Sequence, residues 1–145
     1  MKLENIAEDF APVTRREART QIAVLERRLA RLRRLGAEMV TRFRWHFPKP
    51  PAYPSRYTDR TLTGYRWRMA NRRAVSFELL SDTGQMILDQ LPPSARKIWL
   101  DFERQRIELN LAGAIADYEL RRLRDYVDRL DRLRMAELRE NPGNQ

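Results

Sequence analysis

Tyr65-Arg-Trp-Arg-Met-Ala-Asn-Arg-Arg-Ala-Val-Ser-Phe-Glu-Leu79 is the stretch on which the reading of this chain turns. Tyr65, Trp67 and Met69 alternate with Arg66 and Arg68, and Val75, Phe77 and Leu79 alternate with Ser76 and Glu78. A period of two among aromatic and β-branched residues is a strand signal. Pairing Tyr65 with Leu79, Trp67 with Phe77 and Met69 with Val75 puts six apolar side chains on one face. It also sets Arg66 across from Glu78 and Arg68 across from Ser76, with the turn at Asn71 to Arg73. Asn tolerates a left-handed backbone, although the turn has no Gly. A lone hairpin is marginal in water, so its apolar face is expected to sit on a helix. The rival reading is a helix from Gly64 to Leu80, because Trp67, Ala70, Ala74 and Phe77 also fit a 3.6 period.

Helix dominates on either side. Thr14 and Glu17 form a capping-box pattern. Ala18, Ile22, Leu25, Leu29, Leu32, Gly36, Met39 and Phe43 then recur in steps of four and three. That stripe predicts a long helix over residues 14–46. Gly36 falls on the stripe, where it weakens the helix but allows a partner to come close. Pro48, Pro50, Pro51 and Pro54 predict an extended, proline-rich linker over residues 47–61. The hairpin is expected over residues 62–80 and a short helix over 82–91, capped by Asp82 or Thr83 and stopped by Pro92-Pro93. A second long helix follows over 94–139, with a stripe of Ile98, Phe102, Gln105, Leu109, Ala112, Ala116, Leu120, Leu123, Val127 and Leu130. Asn110 and Gly113 mark tight or polar packing in mid-helix. Residues 1–13 read as an arm.

The expected class is therefore mainly α in a single domain over residues 1–145. Two long heptad-patterned helices would pair as an antiparallel helical hairpin or coiled coil, with a small inserted β-hairpin and a short helix. The second helix outruns the first, so its far stripe, Leu120 to Leu138, is expected to pair with a second copy in a homodimer.

The chain carries 29 Lys and Arg against 20 Asp and Glu, a formal net charge of +9. The charge is uneven. Residues 14–73 hold 17 basic and 4 acidic residues, whereas residues 74–145 hold 11 and 13. Arg42, Arg44, Lys49, Arg56, Arg60, Arg66, Arg68, Arg72 and Arg73 face Asp59 alone within their span. Codon bias acts on both halves and does not explain the asymmetry. A concentrated basic patch is the footprint of nucleic-acid binding, though it attracts an acidic protein equally.

A two-stranded ribbon fits the DNA major groove, where Arg reads guanine bidentately. Arg68, Arg72 and Arg73 are the candidate base readers. Arg66 ranks lower because Glu78 would engage it. Arg56, Arg60, Arg42, Arg44 and Lys49 are candidate phosphate contacts. The aromatic neighbours open a second mode, stacking on unpaired bases, while Tyr65, Trp67 and Phe77 are expected to serve chiefly as core.

No Cys is present and His46 is the only His, so no cofactor or metal site is expected. Asp125, Asp128 and Asp131 interleave with Arg124, Arg129 and Arg132 as ordinary helix ion pairs. No paired carboxylates are visible for acid–base work, and an enzyme is not expected. No apolar run approaches the ~20 residues of a membrane span, and the acidic start of the chain lacks a signal-peptide pattern, so a cytoplasmic protein with no membrane contact is expected.

The run Tyr65-Arg-Trp-Arg68, the arginine-rich turn with its second strand, Leu91-Pro-Pro-Ser-Ala-Arg96 and Glu103-Arg-Gln-Arg-Ile-Glu-Leu-Asn110 carry a resemblance over residues 62–126. The chain resembles small proteins borne by bacterial plasmids, phages and integrative elements. The resemblance implies a mobile-element accessory protein with an Arg-rich hairpin followed by a long helix, and supplies no catalytic residues. Two functions follow as expectations. The first is a non-enzymatic accessory or regulatory protein binding nucleic acid, duplex DNA above all. The alternative is a protein-interaction module, either a coiled-coil adaptor or a small inhibitor of a nucleoprotein complex, using the same basic face.

Overall fold

The computed structural model describes residues 13–60, 62–72 and 75–140. The expected arm over 1–13 lies almost wholly outside the described residues, as does Arg73. The elements in order are α1 (Arg15–His46), β1 (Ala52–Asp59), β2 (Leu62–Met69), β3 (Ser76–Phe77), α2 (Asp82–Gln90) and α3 (Pro93–Glu140). The protein is mainly helical, with a small antiparallel sheet in the order β1-β2-β3.

The decisive stretch is strand. Trp67 pairs with Phe77 and Arg68 with Ser76, and the Met69 amide donates to the Val75 carbonyl at 3.1 Å. This is the register that the alternation predicts. Two features differ from expectation. β3 is only two residues long. The principal partner of β2 is β1, through eight residue pairs from Ala52↔Met69 to Asp59↔Leu62. Residues 52–59, expected as part of a proline-rich linker, thus form a full strand. Pro54 is tolerated there because β1 lies at the sheet edge, where a missing N–H need not break a ladder. The expected hairpin partner Glu78 lies outside β3, and its carboxylate sits 3.5 Å from Arg106.

The described residues divide into two units. In the unit formed by residues 28–117, Met39 and Phe43 of α1, Ala52, Tyr65 and Trp67 of the sheet, Leu79, Ile87 and Leu88, and Trp99 and Phe102 of α3 form one buried cluster. Phe43 is its centre, with ring centroids 5.4 Å from Trp67, 5.2 Å from Trp99 and 5.3 Å from Phe102, all edge-on. Trp67 stacks on Trp99 at 5.0 Å. Edge-to-face and offset-stacked pairs suit the ring quadrupoles. The apolar face of the sheet therefore rests on helices, as a marginal hairpin requires.

β3 stops short, so the Tyr65 backbone on that side of β2 has no strand neighbour. Asn110 of α3 takes the strand's place. Its Oδ1 accepts from the Tyr65 amide and its Nδ2 donates to the Tyr65 carbonyl, each at 2.9 Å. Arg106 Nη1 donates to the same carbonyl at 3.1 Å. The expected polar packing at Asn110 is thereby accounted for. Gly36 of α1 admits the Tyr65 ring, since a Cβ there would lie 2.0 Å from the Tyr65 hydroxyl oxygen. Burial pushes the Tyr65 hydroxyl above its ordinary pKa, with the nearby Arg56 and Arg33 charges opposing the rise.

In the unit formed by residues 13–27 and 118–140, Ala18, Leu25, Leu120 and Val127 are buried. Arg15 bonds Asp131 at 2.7 Å and Arg124 bonds Glu26 at 3.2 Å. Partners descend along α3 as they ascend along α1. The Tyr126 hydroxyl donates to the Val13 carbonyl. The far stripe of α3 was expected to need a second copy. Its members Leu120 and Val127 are buried within the chain, whereas Leu133, Met135 and Leu138 stay exposed.

Candidate nucleic-acid interface

Alternation along β1 and β2 sorts the side chains onto two faces. Ala52, Pro54, Tyr65 and Trp67 are buried and define the packed face. The cross-strand pairs Tyr53↔Arg68, Ser55↔Arg66 and Tyr57↔Gly64 lie on the other. None of Tyr53, Tyr57, Arg66 and Arg68 is fully buried. This face of the ribbon thus carries two half-buried arginines, their Nε atoms shielded from water, between two half-buried tyrosines. Asp59 is its only acidic residue, at the far end of β1.

Gly64 makes part of this surface possible. A Cβ there would meet the Tyr57 ring at 2.7 Å, so only glycine lets that ring lie across β2. The Arg66 guanidinium stands over the Tyr57 ring at 5.0 Å from its centroid. A cation–π contact at such a site stabilises by ~0.5–1 kcal/mol. Arg66 was expected to be engaged by Glu78. Its partner is Tyr57, and Glu78 faces Arg106.

The remaining candidates do not gather at one point. Arg44 and Lys49 are exposed and line an open cleft of about 620 Å³ with Phe47, Pro48, Pro50, Tyr53 and Ala70. Tyr53 belongs both to this cleft and to the outward face of the sheet. Arg72 is exposed just beyond β2, where its carbonyl accepts from the Val75 amide at 2.9 Å and closes the turn. Arg68, Arg72, Arg44 and Lys49 therefore belong to one end of the ribbon. Arg60 belongs to the other end, ~20 Å away at ~3.3 Å per strand residue. It follows β1 in the left-handed region with φ 57°. Arg56 shares the face of Tyr65 but is exposed. Arg42 donates to Gln105 Oε1 at 2.7 Å and lies 5.9 Å from the centroid of Phe102, so α3 engages it already.

The buried carboxylate of Glu103 is fully committed. Its Oε2 accepts from Trp67 Nε1 at 2.6 Å and Arg106 Nε at 2.8 Å, and its Oε1 accepts from Arg106 Nη2 at 2.7 Å. These bonds hold the Arg106 guanidinium above its ordinary pKa. They tie β2 to α3 beneath the outward face. Among the described residues no three His, Cys, Asp or Glu side chains come together as a metal site, and no helix is long and apolar enough to cross a membrane.

Sequence reasoning passed over Tyr53 and Tyr57 because the prolines marked their segment as linker. The signal was the alternation Tyr53, Ser55, Tyr57 across Pro54. Compared with protein-family models, curated proteins and solved structures, the chain matches none of them.

Proposed function

We propose that the protein is a non-enzymatic nucleic-acid-binding protein that engages duplex DNA through the β1–β2 ribbon, in an accessory or regulatory role. One observation carries the reading. Arg66 and Arg68 stand on the outward face of the ribbon between Tyr53 and Tyr57, over a sheet anchored from behind by Glu103, Arg106 and Asn110. Arg68 and Arg72 are the base-reading candidates, and Arg44, Lys49, Arg56 and Arg60 meet phosphates. Arg supplies a planar fork that fits both phosphate and guanine. The long helices act as the scaffold, an antiparallel helical pair in this reading. The association with a mobile element rests on the sequence resemblance.

The test is binding of the full chain to duplexes of defined and random sequence across ~50–200 mM salt. Each lost phosphate contact should flatten the salt dependence by ~0.9 in the log–log slope. Arg44→Ala with Lys49→Ala should therefore weaken all duplexes alike. Arg68→Ala with Arg72→Ala should reduce discrimination between sequences, since a bidentate base contact is worth ~1–3 kcal/mol. Absence of any binding by the wild-type chain at ~50 mM salt refutes the reading.

A separate observation favours the alternative, a protein-interaction module. Leu80 at 66%, Ile107 at 48%, Leu111 at 61% and Ile115 at 49% relative exposure leave apolar surface in the unit that carries the ribbon. Such surface is characteristic of protein contacts. Recovery of a stoichiometric protein partner by a wild-type chain that binds no DNA would establish that reading instead.

A further inference from the structure

Trp45 is the most exposed large apolar side chain among the described residues, at 83% of its full accessible area. It lies in the last turn of α1, two residues beyond buried Phe43. At 3.6 residues per turn that step places it ~200° round the helix, facing away from the core. Its surroundings are basic. Arg42 and Arg44 flank it on α1, His46 follows it with ring centroids 6.3 Å apart, and Lys49 stands beyond the helix end. Arg44 and Lys49 open directly into the cleft that reaches Tyr53.

An indole kept in water costs solvation free energy that a soluble domain ordinarily avoids by burial. Here Trp67 and Trp99 are fully buried, and only Trp45 is left out. An exposed Trp45 next in sequence to Arg44, whose cleft also holds Lys49 and Tyr53, supplies the two elements by which proteins hold unpaired nucleotides: a basic track for the backbone and an aromatic face for the bases. In an intact duplex every internal base already has both faces stacked. A face becomes available at an end, a gap or a single-stranded extension.

We infer that Trp45 stacks on an unpaired nucleobase, and that Arg44 and Lys49 hold the phosphates of the same strand. The preferred ligand of the ribbon is accordingly duplex DNA carrying a single-stranded extension. The inference rests on the nucleic-acid reading above and narrows it to a junction.

The experiment titrates the full chain with a blunt duplex and with the same duplex bearing an oligothymidine tail. Trp45 fluorescence and anisotropy of the labelled DNA are followed together. The wild-type chain should bind the tailed duplex about tenfold more tightly than the blunt one, within the range of one base–aromatic stack. The tailed duplex alone should quench the accessible indole emission. Trp45→Leu should weaken tailed binding about tenfold, and Trp45→Phe should restore most of it. Equal affinity of the wild-type chain for the two ligands overturns the inference and leaves the duplex reading standing. So does a Trp45→Leu variant that binds the tailed duplex as tightly as Trp45→Phe. Failure of the wild-type chain to bind either ligand overturns both readings.

Discussion

Glu103→Ala is the sharpest test of how the ribbon is held. The Glu103 carboxylate binds Trp67 through one hydrogen bond and Arg106 through two. Both side chains of the ion pair are nearly buried, with 11% exposure for Arg106 and 6% for Glu103. Truncation leaves the Arg106 charge with the Tyr65 carbonyl at 3.1 Å and the exposed Glu78 carboxylate at 3.5 Å. Removing one partner of a buried pair costs ~3–5 kcal/mol, because the other charge stays buried. The Trp67 indole N–H also loses its acceptor, at ~1–3 kcal/mol. The two costs share one site and do not add fully, so a loss of about 4 kcal/mol or more is expected. A domain of ordinary stability holds only ~5–15 kcal/mol in all, so the variant should be marginal.

Urea denaturation followed by circular dichroism measures the loss. Two companion variants keep the result interpretable should Glu103→Ala fail to fold. Glu103→Gln retains an acceptor of the same shape and should lie between wild type and Ala. Glu103→Leu combined with Arg106→Leu removes both charges, and the Tyr65 carbonyl still receives Asn110 Nδ2. The double variant should be more stable than Glu103→Ala. A loss below ~1 kcal/mol for Glu103→Ala, or a double variant less stable than the single one, contradicts the reasoning.

Other perturbations follow the same geometry. Asn110→Ala strips the Tyr65 amide of its partner, and urea titration should show a loss of ~2 kcal/mol, with faster amide exchange at Tyr65. Gly36→Ala sets a Cβ against the Tyr65 ring and should lower stability by ~1–3 kcal/mol. Tyr65→Phe in the same chain should restore only part, because a ring carbon also lies within 2.1 Å of that position. The Asp131 carboxyl is held below its ordinary pKa, chiefly by its hydrogen bond to Arg15. Its contribution to stability is present above the unfolded carboxylate value and is lost as pH falls through the lowered folded value. The carboxyl resonance should titrate below ~3.9, and Arg15→Ala should return it towards that value. Gly64→Ala should displace the Tyr57 ring and with it the Arg66 guanidinium, so duplex affinity should fall in the binding titration while α1 and α3 keep their helical signal.

The amino-acid sequence by itself determined the helices and the register of one strand pair. Both are set by local periodicity. The stripes from Ala18 to Phe43 and from Ile98 to Leu130 mark faces that must leave water, and those faces are the ones packed inward or half covered. The alternation of Tyr65, Trp67 and Met69 against Val75 and Phe77 specifies the Trp67↔Phe77 register, because a slip of one residue would turn every apolar side chain outward. The nine basic residues between Arg42 and Arg73 were likewise visible as a charge concentration.

Only the tertiary structure decided what β2 pairs with. Pro54 disqualifies its segment as a central strand but not as an edge strand, and which position it takes depends on the neighbours it meets. Asn110 replaces a strand from 45 residues away, a substitution that no local pattern announces. The same holds for the charges. Spacing suggested Arg66 with Glu78, yet Gly64 lets Tyr57 lie beneath Arg66, and Glu78 turns to Arg106. Trp45 falls in the last turn of the helix predicted over residues 14–46. Its isolation in water follows from where α1 meets the sheet and α3, since burial is a property of the assembled chain and not of any window within it.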